Sequence, residues 1–219
     1  MTRLELELRF RLDTALHVTG NRRLLGIDRP LALDVQGRPV MPATTVKGFL
    51  RHRAEVLLRA LGQRACLGPA PDTMCGSDDP CLVCRVFGNP HLDAALRVGE
   101  AISEEQTTLS VRSGVAISRY RRAAYPQRLF FLETTGPMPS TWRSTCEGYF
   151  SNEEMAKEAA ALVDLAARWP LAIGGGKTRG LGWIRDIDLT AKVNGTSVER
   201  QELAAIWQAW AGGQRVAAD

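Results

Sequence analysis

The sequence predicts an α+β fold of the ferredoxin-like type, an antiparallel sheet with two helices on one face. Three observations predict it: an N-terminal segment of strict period two, two long helical periodicities with strand-like apolar segments between them, and a second period-two segment after the later helix. In order, the elements read strand, helix, strand, strand, helix, strand.

In LELELRFRLD, Leu4, Leu6, Leu8, Phe10 and Leu12 alternate with Glu5, Glu7, Arg9 and Arg11, as one buried sheet face requires. From Thr44 or Thr45 as N-cap, Val46, Phe49, Leu50, Ala54, Leu57, Leu58 and Leu61 recur at helical spacing, and Gly62 follows as a stop. LRVGEAI around Val98 and RLFFLETT around Phe130 fit the next two strands. Ser151 with Glu154 reads as a capping box, and Met155, Ala159, Leu162, Ala166 and Trp169 line the second helix up to Pro170. WIRDIDLTAKV places Trp183, Arg185, Ile187, Leu189, Ala191 and Val193 on one side of the last strand, and Leu203, Ile206, Trp207 and Trp210 belong to a terminal helix.

The chain of 219 residues reads as a single domain, 1–219, interrupted by long insertions at about 21–43, 62–96 and 103–127. Segments of that length inside a compact domain are usually functional. A hydrophobic fraction of 45% and a charged fraction of 24% exclude a disordered chain. No apolar run approaches the ~20 residues that span a bilayer, and Met1 leads into a charged alternating segment instead of a signal peptide. The expectation is a cytoplasmic protein with no membrane partner.

The net charge of +4, from 28 basic and 24 acidic residues, is modest, but arginines cluster at Arg22 and Arg23 and again at Arg119, Arg121, Arg122 and Arg128. Such clusters favour a polyanionic partner more than the total does. In VRSGVAISRYRRAAYPQR, Arg112 and these later arginines interleave with Tyr120 and Tyr125, a mix suited to phosphate pairing and base stacking. An exposed basic hairpin without a ligand would have the same composition.

Five cysteines without a secretory signal are poor disulfide material. Four of them, Cys66, Cys75, Cys81 and Cys84, lie close together, and the last two form the C-x-x-C knuckle from which two thiolates reach one tetrahedral ion. Structural Zn2+ is the expected cofactor, with His91 as a substitute for Cys66 and a reduced, metal-free loop as the alternative. Cys146 reads as a small buried side chain.

IGGGKTRGLGW, from Ile173 to Trp183, sets Lys177 and Arg179 among five glycines, including Gly174 and Gly175. Backbone that bare can approach phosphates, but a tight helix-to-strand turn explains it equally well. Gly176, Lys177 and Thr178 match the end of a nucleotide-hydrolase phosphate loop, yet here a helix precedes and a strand follows. His17, His52 and His91 have no nucleophile motif beside them.

Taken together, LHVTG at 16–20, GID at 26–28, GRPVMPATTVKGFLR at 37–51, CLVCRVFGNP at 81–90 and the GGGKTRGLGW turn resemble the repeated backbone subunit of type III CRISPR effector complexes, in the RAMP (repeat-associated mysterious protein) superfamily. The resemblance covers most of the chain. It implies an RNA-recognition-motif-like core that polymerises head to tail along guide crRNA with the other effector subunits, in antiviral defence. It also implies a thumb-like hairpin, here the arginine-rich insertion, that kinks the duplex of guide and target RNA.

The family's catalytic aspartate lies in the loop after the first strand, which makes Asp28 the implied endonuclease residue, acting with Mg2+ or another divalent metal. Asp34 reads instead as a turn residue before Gly37. Arg22, Arg23, Lys47 and Arg51 are the expected guide contacts beside the first helix. One departure is Ala43, Thr44, Thr45 and Val46 where the family has glycine, serine, serine and leucine. Two other readings remain: a zinc-containing RNA-binding scaffold without cleavage, and a guide-processing endoribonuclease of the same superfamily using histidine as acid and base.

Overall fold

Alternation over the eleven residues from Thr2 to Leu12 builds the centre of the molecule. In the computed structural model, which describes residues 1–68 and 70–212, the chain runs β1 (Thr2–Leu12), β2 (Val40–Met41), α1 (Ala43–Ala60), α2 (Leu82–Phe87), β3 (Leu96–Ser103), β4 (Leu109–Ser118), β5 (Ala123–Thr135), β6 (Ser140–Phe150), α3 (Glu153–Arg168), β7 (Ile184–Val193), β8 (Thr196–Val198) and α4 (Arg200–Gly212). β1 pairs antiparallel with β6 on one side and β7 on the other, in a six-stranded sheet ordered β2-β3-β6-β1-β7-β8. The architecture is α+β, and all of these strand pairings are antiparallel.

Leu4, Leu6, Leu8, Phe10 and Leu12 point from β1 into one core shared with α1 and α3, where the Phe10 ring meets Phe49 edge-on at 6.2 Å. Truncating one such fully buried leucine to alanine costs about 2–5 kcal/mol. The opposite sheet face is polar and ion-paired, with Arg3 bridging Glu5 and Glu147 and Arg11 bridging Asp186. One face apolar and one solvated is what period two demands of an antiparallel sheet.

Five local expectations are corrected. α1 starts at Ala43, before either expected cap, because the carbonyl of Pro42 already accepts from Thr45 and Val46. It stops as expected: Gly62 takes φ 74°, and Gly62 and Gln63 donate back to Arg59 and Leu58, satisfying the last carbonyls. α3 is capped by Asn152, whose side chain accepts from Met155 N at 2.8 Å, and not by Ser151. Trp169 is that helix's C-cap and half exposed, not part of its buried stripe.

On β7 the inward set is Ile184, Ile187, Leu189, Ala191 and Val193. A bulge opposite Arg11 and Leu12 shifts the register, so Trp183 and Arg185 lie outside. The expected strand around Phe130 belongs to β5, which pairs only with β4 in a separate two-stranded hairpin. The strand that completes the large sheet between β3 and β1 is β6, which presents Ser140, Trp142, Ser144, Cys146, Gly148 and Phe150 inward. Half of that set, Ser140, Ser144 and Gly148, has no apolar side chain, which hides its periodicity from a hydrophobic pattern.

α3 is buried on nearly every side because α4 packs over its outer face. Asp164, fully buried there, is held by Arg168 at 3.1 Å, Arg200 at 2.7 Å and the indole N–H of Trp207 at 2.9 Å. A carboxylate is tolerated at such depth only with partners of this kind.

Candidate functional site

Four cysteines meet beside α1. Cys66 arrives from the loop after that helix, Cys75 follows a single 3-10 turn at Pro71–Thr73, Cys81 caps α2 and Cys84 lies in its first turn. All four sulfurs fall within 4.8 Å of one another, with Cys66 Sγ 3.3 Å from Cys84 and 3.9 Å from Cys81. Four thiolates at about 2.3 Å from one tetrahedral ion stand roughly 3.8 Å apart. The cluster therefore fits a metal such as zinc.

Three of the four are buried, and the polypeptide already treats the sulfurs as acceptors, since Cys81 N donates to Cys75 Sγ at 3.4 Å. Burial and the neighbouring thiols push Cys84 up to about 12. Burial also opposes ionisation of Cys81, but the N–H groups of Cys66 and Cys84 outweigh it and bring that thiol down to about 7. His91 is exposed and lies outside the group; Asn89 receives its backbone N–H instead. Cys146 is buried on β6, away from the cluster, where desolvation raises it to about 11.

Asp28 sits exposed in the loop after β1, joined to the hairpin. Its Oδ2 accepts from Phe131 N at 2.7 Å, and the backbone N–H groups of Asp28 and Arg29 both donate to Phe131 O. Arg29 O accepts in turn from Glu133 N, so the loop runs as a short extra rung beside β5. Asp34 forms the expected turn, its Oδ1 accepting from Gln36 N and Arg38 N, each at 2.9 Å.

Glu133, which sequence reasoning did not single out, organises this region. It is 6% exposed, and one carboxylate oxygen takes Leu31 N at 2.8 Å and Arg22 Nη2 at 2.7 Å. Arg22 is thereby engaged by the fold, whereas Arg23 is exposed. His17 is buried with both ring nitrogens occupied, Nδ1 donating to Glu133 O and Nε2 accepting from Thr19 Oγ1. Burial lowers its pKa.

The glycine-rich turn docks on this same strand end. A Cβ on Gly174 would stand 2.4 Å from His17 O, and one on Gly182 would stand 1.9 Å from Ile173 O; both take positive φ. Gly175 N donates to His17 O. These glycines therefore have an intramolecular reason to be bare. Lys177 and Arg179 lie on a single exposed 3-10 turn between left-handed Gly176 and Gly180. The Arg179 guanidinium rests 5.1 Å above the Phe130 ring, which itself crosses Gly114. Between the turn and α1 opens a cleft of ≈ 730 Å³ lined by Thr45, Phe49, His52, Lys177 and Trp183 among others.

Beyond its base the hairpin is exposed on both faces, and Arg112, Arg119, Arg121 and Arg122 lie along it. Arg121 covers Tyr125 at 5.4 Å, and Tyr120 is 97% exposed at the tip. Lys47 is half-buried on α1; burial, then Arg51, lowers its pKa. Arg51 faces the cysteines: its nitrogens reach Glu55, Gly88 O and Cys84 Sγ.

Fold and site together define a class: an antiparallel α+β protein bearing a four-thiol cluster and a basic, solvent-exposed hairpin. The RAMP superfamily model matches residues 9–185. The chain belongs to the RAMP superfamily, which includes CRISPR-associated RNA-binding proteins and some endoribonucleases. Members generally bind crRNA and the subunits of CRISPR complexes. No curated protein gives a significant match to the chain. No helix among the described residues is long and apolar enough to cross a membrane.

Proposed function

We propose that this RAMP protein is a guide-crRNA-binding backbone subunit of a type III CRISPR effector complex and that it cleaves complementary target RNA at Asp28. The observation that carries the reading is the rung between Asp28 and Phe131, which sets an exposed carboxylate at the root of the arginine-bearing hairpin. A hairpin that enters the duplex of guide and target would bring a distorted phosphate to that root. The strand order β3-β6-β1-β7, with α1 after β1 and α3 after β6 in the chain, supports reading the core as a ferredoxin-like βαββαβ arrangement in which the cysteine loop and the hairpin are insertions.

In this reading Arg23, Lys47, Lys177 and Arg179 hold guide phosphates beside the cleft, with Gly174 and Gly175 letting the turn lie close to the strand end. Arg112, Arg119, Arg121 and Arg122 contact the guide and target backbones, with Tyr120 free to stack. Zinc on Cys66, Cys75, Cys81 and Cys84 fixes the second insertion. Copies of the chain repeat head to tail along the guide, beside the other effector subunits in the cytoplasm.

Among the described residues only the cysteines form a group of three or more metal-ligating side chains. Asp28 thus offers a Mg2+ ion one carboxylate, and the RNA phosphate and water would complete its shell. When bound there, such an ion would stabilise the charge that develops as the adjacent 2′-hydroxyl bonds to phosphorus and the P–O5′ bond breaks, leaving a 2′,3′-cyclic phosphate and a 5′-hydroxyl that takes up the proton. The carboxylate's own part is to hold that charge arrangement in place.

A scaffold without cleavage is favoured by one fact, that Asp28 Oδ2 already has a structural hydrogen bond. Cleavage of labelled complementary RNA by assembled complex, native or Asp28→Ala, separates the two. A histidine-dependent guide-processing role draws no support from His17, whose ring is buried and fully bonded.

A further inference from the structure

The guanidinium of Arg51 turns both Nη atoms toward the cysteine insertion and its Nε toward Glu55, one turn on along α1. Nε donates to Glu55 Oε1 at 2.8 Å, Nη1 to Gly88 O at 2.5 Å and Nη2 to Cys84 Sγ at 3.9 Å. Arg51 is 19% exposed and Glu55 11%. Sequence position alone made Arg51 a phosphate contact; its geometry gives it a different partner.

We infer that Arg51 is a positioning residue of the metal centre, and that through it metal loading is transmitted to helix α1. The inference rests on the reading of the four cysteines as a zinc site.

Zinc with four thiolates carries a net charge of −2, and donors aimed at the sulfurs keep them ionised and oriented, which typically changes metal affinity by about 10–100-fold. Arg51 is the cation whose fork reaches a cluster sulfur. Glu55, one turn on, fixes that fork in the way a carboxylate fixes a ligating histidine.

The fork also closes the end of the ligand-bearing helix. α2 is only six residues long, carries Cys84 and is capped by Cys81. Its last carbonyls are partly negative, and Gly88 O, at the C-cap, is where Arg51 Nη1 lands. A second arginine of α1, Arg59, holds Cys66 O at 3.1 Å. α1 thus grips both ends of the ligand loop.

Finally, three of the five N–H donors of Arg51, one on each nitrogen, are committed inside the protein, so the bidentate grip that makes arginine a phosphate ligand would compete with these bonds.

The test is zinc affinity by competition with a chromophoric chelator, on the full chain, for native protein, Arg51→Ala and Glu55→Gln. The expected result is a loss of about 10–100-fold for Arg51→Ala and a smaller loss in the same direction for Glu55→Gln. With zinc saturating, the salt dependence of guide RNA binding should be the same for native protein and Arg51→Ala. Should Arg51→Ala not fold, hydrogen exchange of native protein carries the test: chelation should speed exchange from Leu50 to Leu58 of α1 and leave β1 and β6 unchanged.

Native protein that takes up zinc while both variants bind it within about threefold of native would overturn the role of Arg51 and leave the zinc site standing. Native protein that takes up no zinc overturns both. A salt slope lower by about 0.7 in Arg51→Ala would make it a phosphate contact after all. Exchange in α1 that ignores chelation overturns the coupling.

Discussion

Asp28 and Phe131 are joined twice: Phe131 N donates to the Asp28 carboxylate at 2.7 Å, and Phe131 O accepts from Asp28 N at 3.1 Å. The side chain that the proposal makes catalytic is therefore also a structural acceptor. Asp28→Asn keeps an acceptor oxygen for Phe131 N and removes the charge, whereas Asp28→Ala removes both. Both should lower target cleavage by about 10²–10³-fold with target binding retained. Cleavage by the Asn variant at the native rate would leave Asp28 a loop-fixing residue only.

Freshly purified protein should contain about one zinc per chain, as a four-thiolate site requires. Cys81→Ser should lose it. Because metal binding to such a loop is also folding free energy, chelation should lower the melting temperature by roughly 5–10 °C. Elemental analysis and thermal unfolding read the two effects separately.

At the hairpin tip, Arg119→Ala, Arg121→Ala and Arg122→Asn test phosphate contact. Asparagine is chosen at Arg122 because that residue holds φ 51°, where a β-carbon is strained and asparagine is tolerated. Each lost contact to single-stranded RNA should reduce the log-log salt slope by about 0.7. Tyr120→Ala should weaken binding by about 1–3 kcal/mol if a base stacks there, with no change in slope. Unchanged affinity in all four would make the tip a bystander.

Two glycines of one turn should respond differently to alanine. Gly182 has φ 67° and a carbonyl 1.9 Å from the place a Cβ would take, so Gly182→Ala must move backbone. Gly180 has φ 78° and open space around it, so Gly180→Ala meets only the left-handed penalty of about 1–2 kcal/mol. Urea denaturation should show Gly182→Ala as the more damaging by at least about 2 kcal/mol.

His17 gives a pH signature. Burial lowers its folded-state pKa below the ordinary 6.5, with Glu133 O favouring and Arg29 opposing the charged ring. Below pH 6.5 the unfolded chain takes the proton first, so this contribution is complete above that pH and declines as the pH falls toward the lowered folded value. The stability difference between native protein and His17→Asn, measured in urea, should therefore shrink from pH 7.5 to 5.5. Taking the difference cancels the acid sensitivity of the thiol cluster.

The sequence by itself determined β1, α1, α3, the inward half of β7 and the four-cysteine group, because each is written in a local period or spacing. Leu4 to Leu12 cannot alternate so strictly without one buried face, and Cys81 and Cys84 are set by their own helix start. It could not reveal β6, whose inward Ser140, Ser144 and Gly148 carry no apolar signal, and it placed Phe130 in the large sheet because β5 is as strand-like as β3. Tertiary structure alone decided that Arg22 answers buried Glu133, more than a hundred positions away in the chain, and that Arg51 answers Cys84 instead of solvent. Charged side chains are long and their partners are chosen by desolvation across the fold, so identity and spacing say that an arginine is present, and only packing says whether its charge is still free.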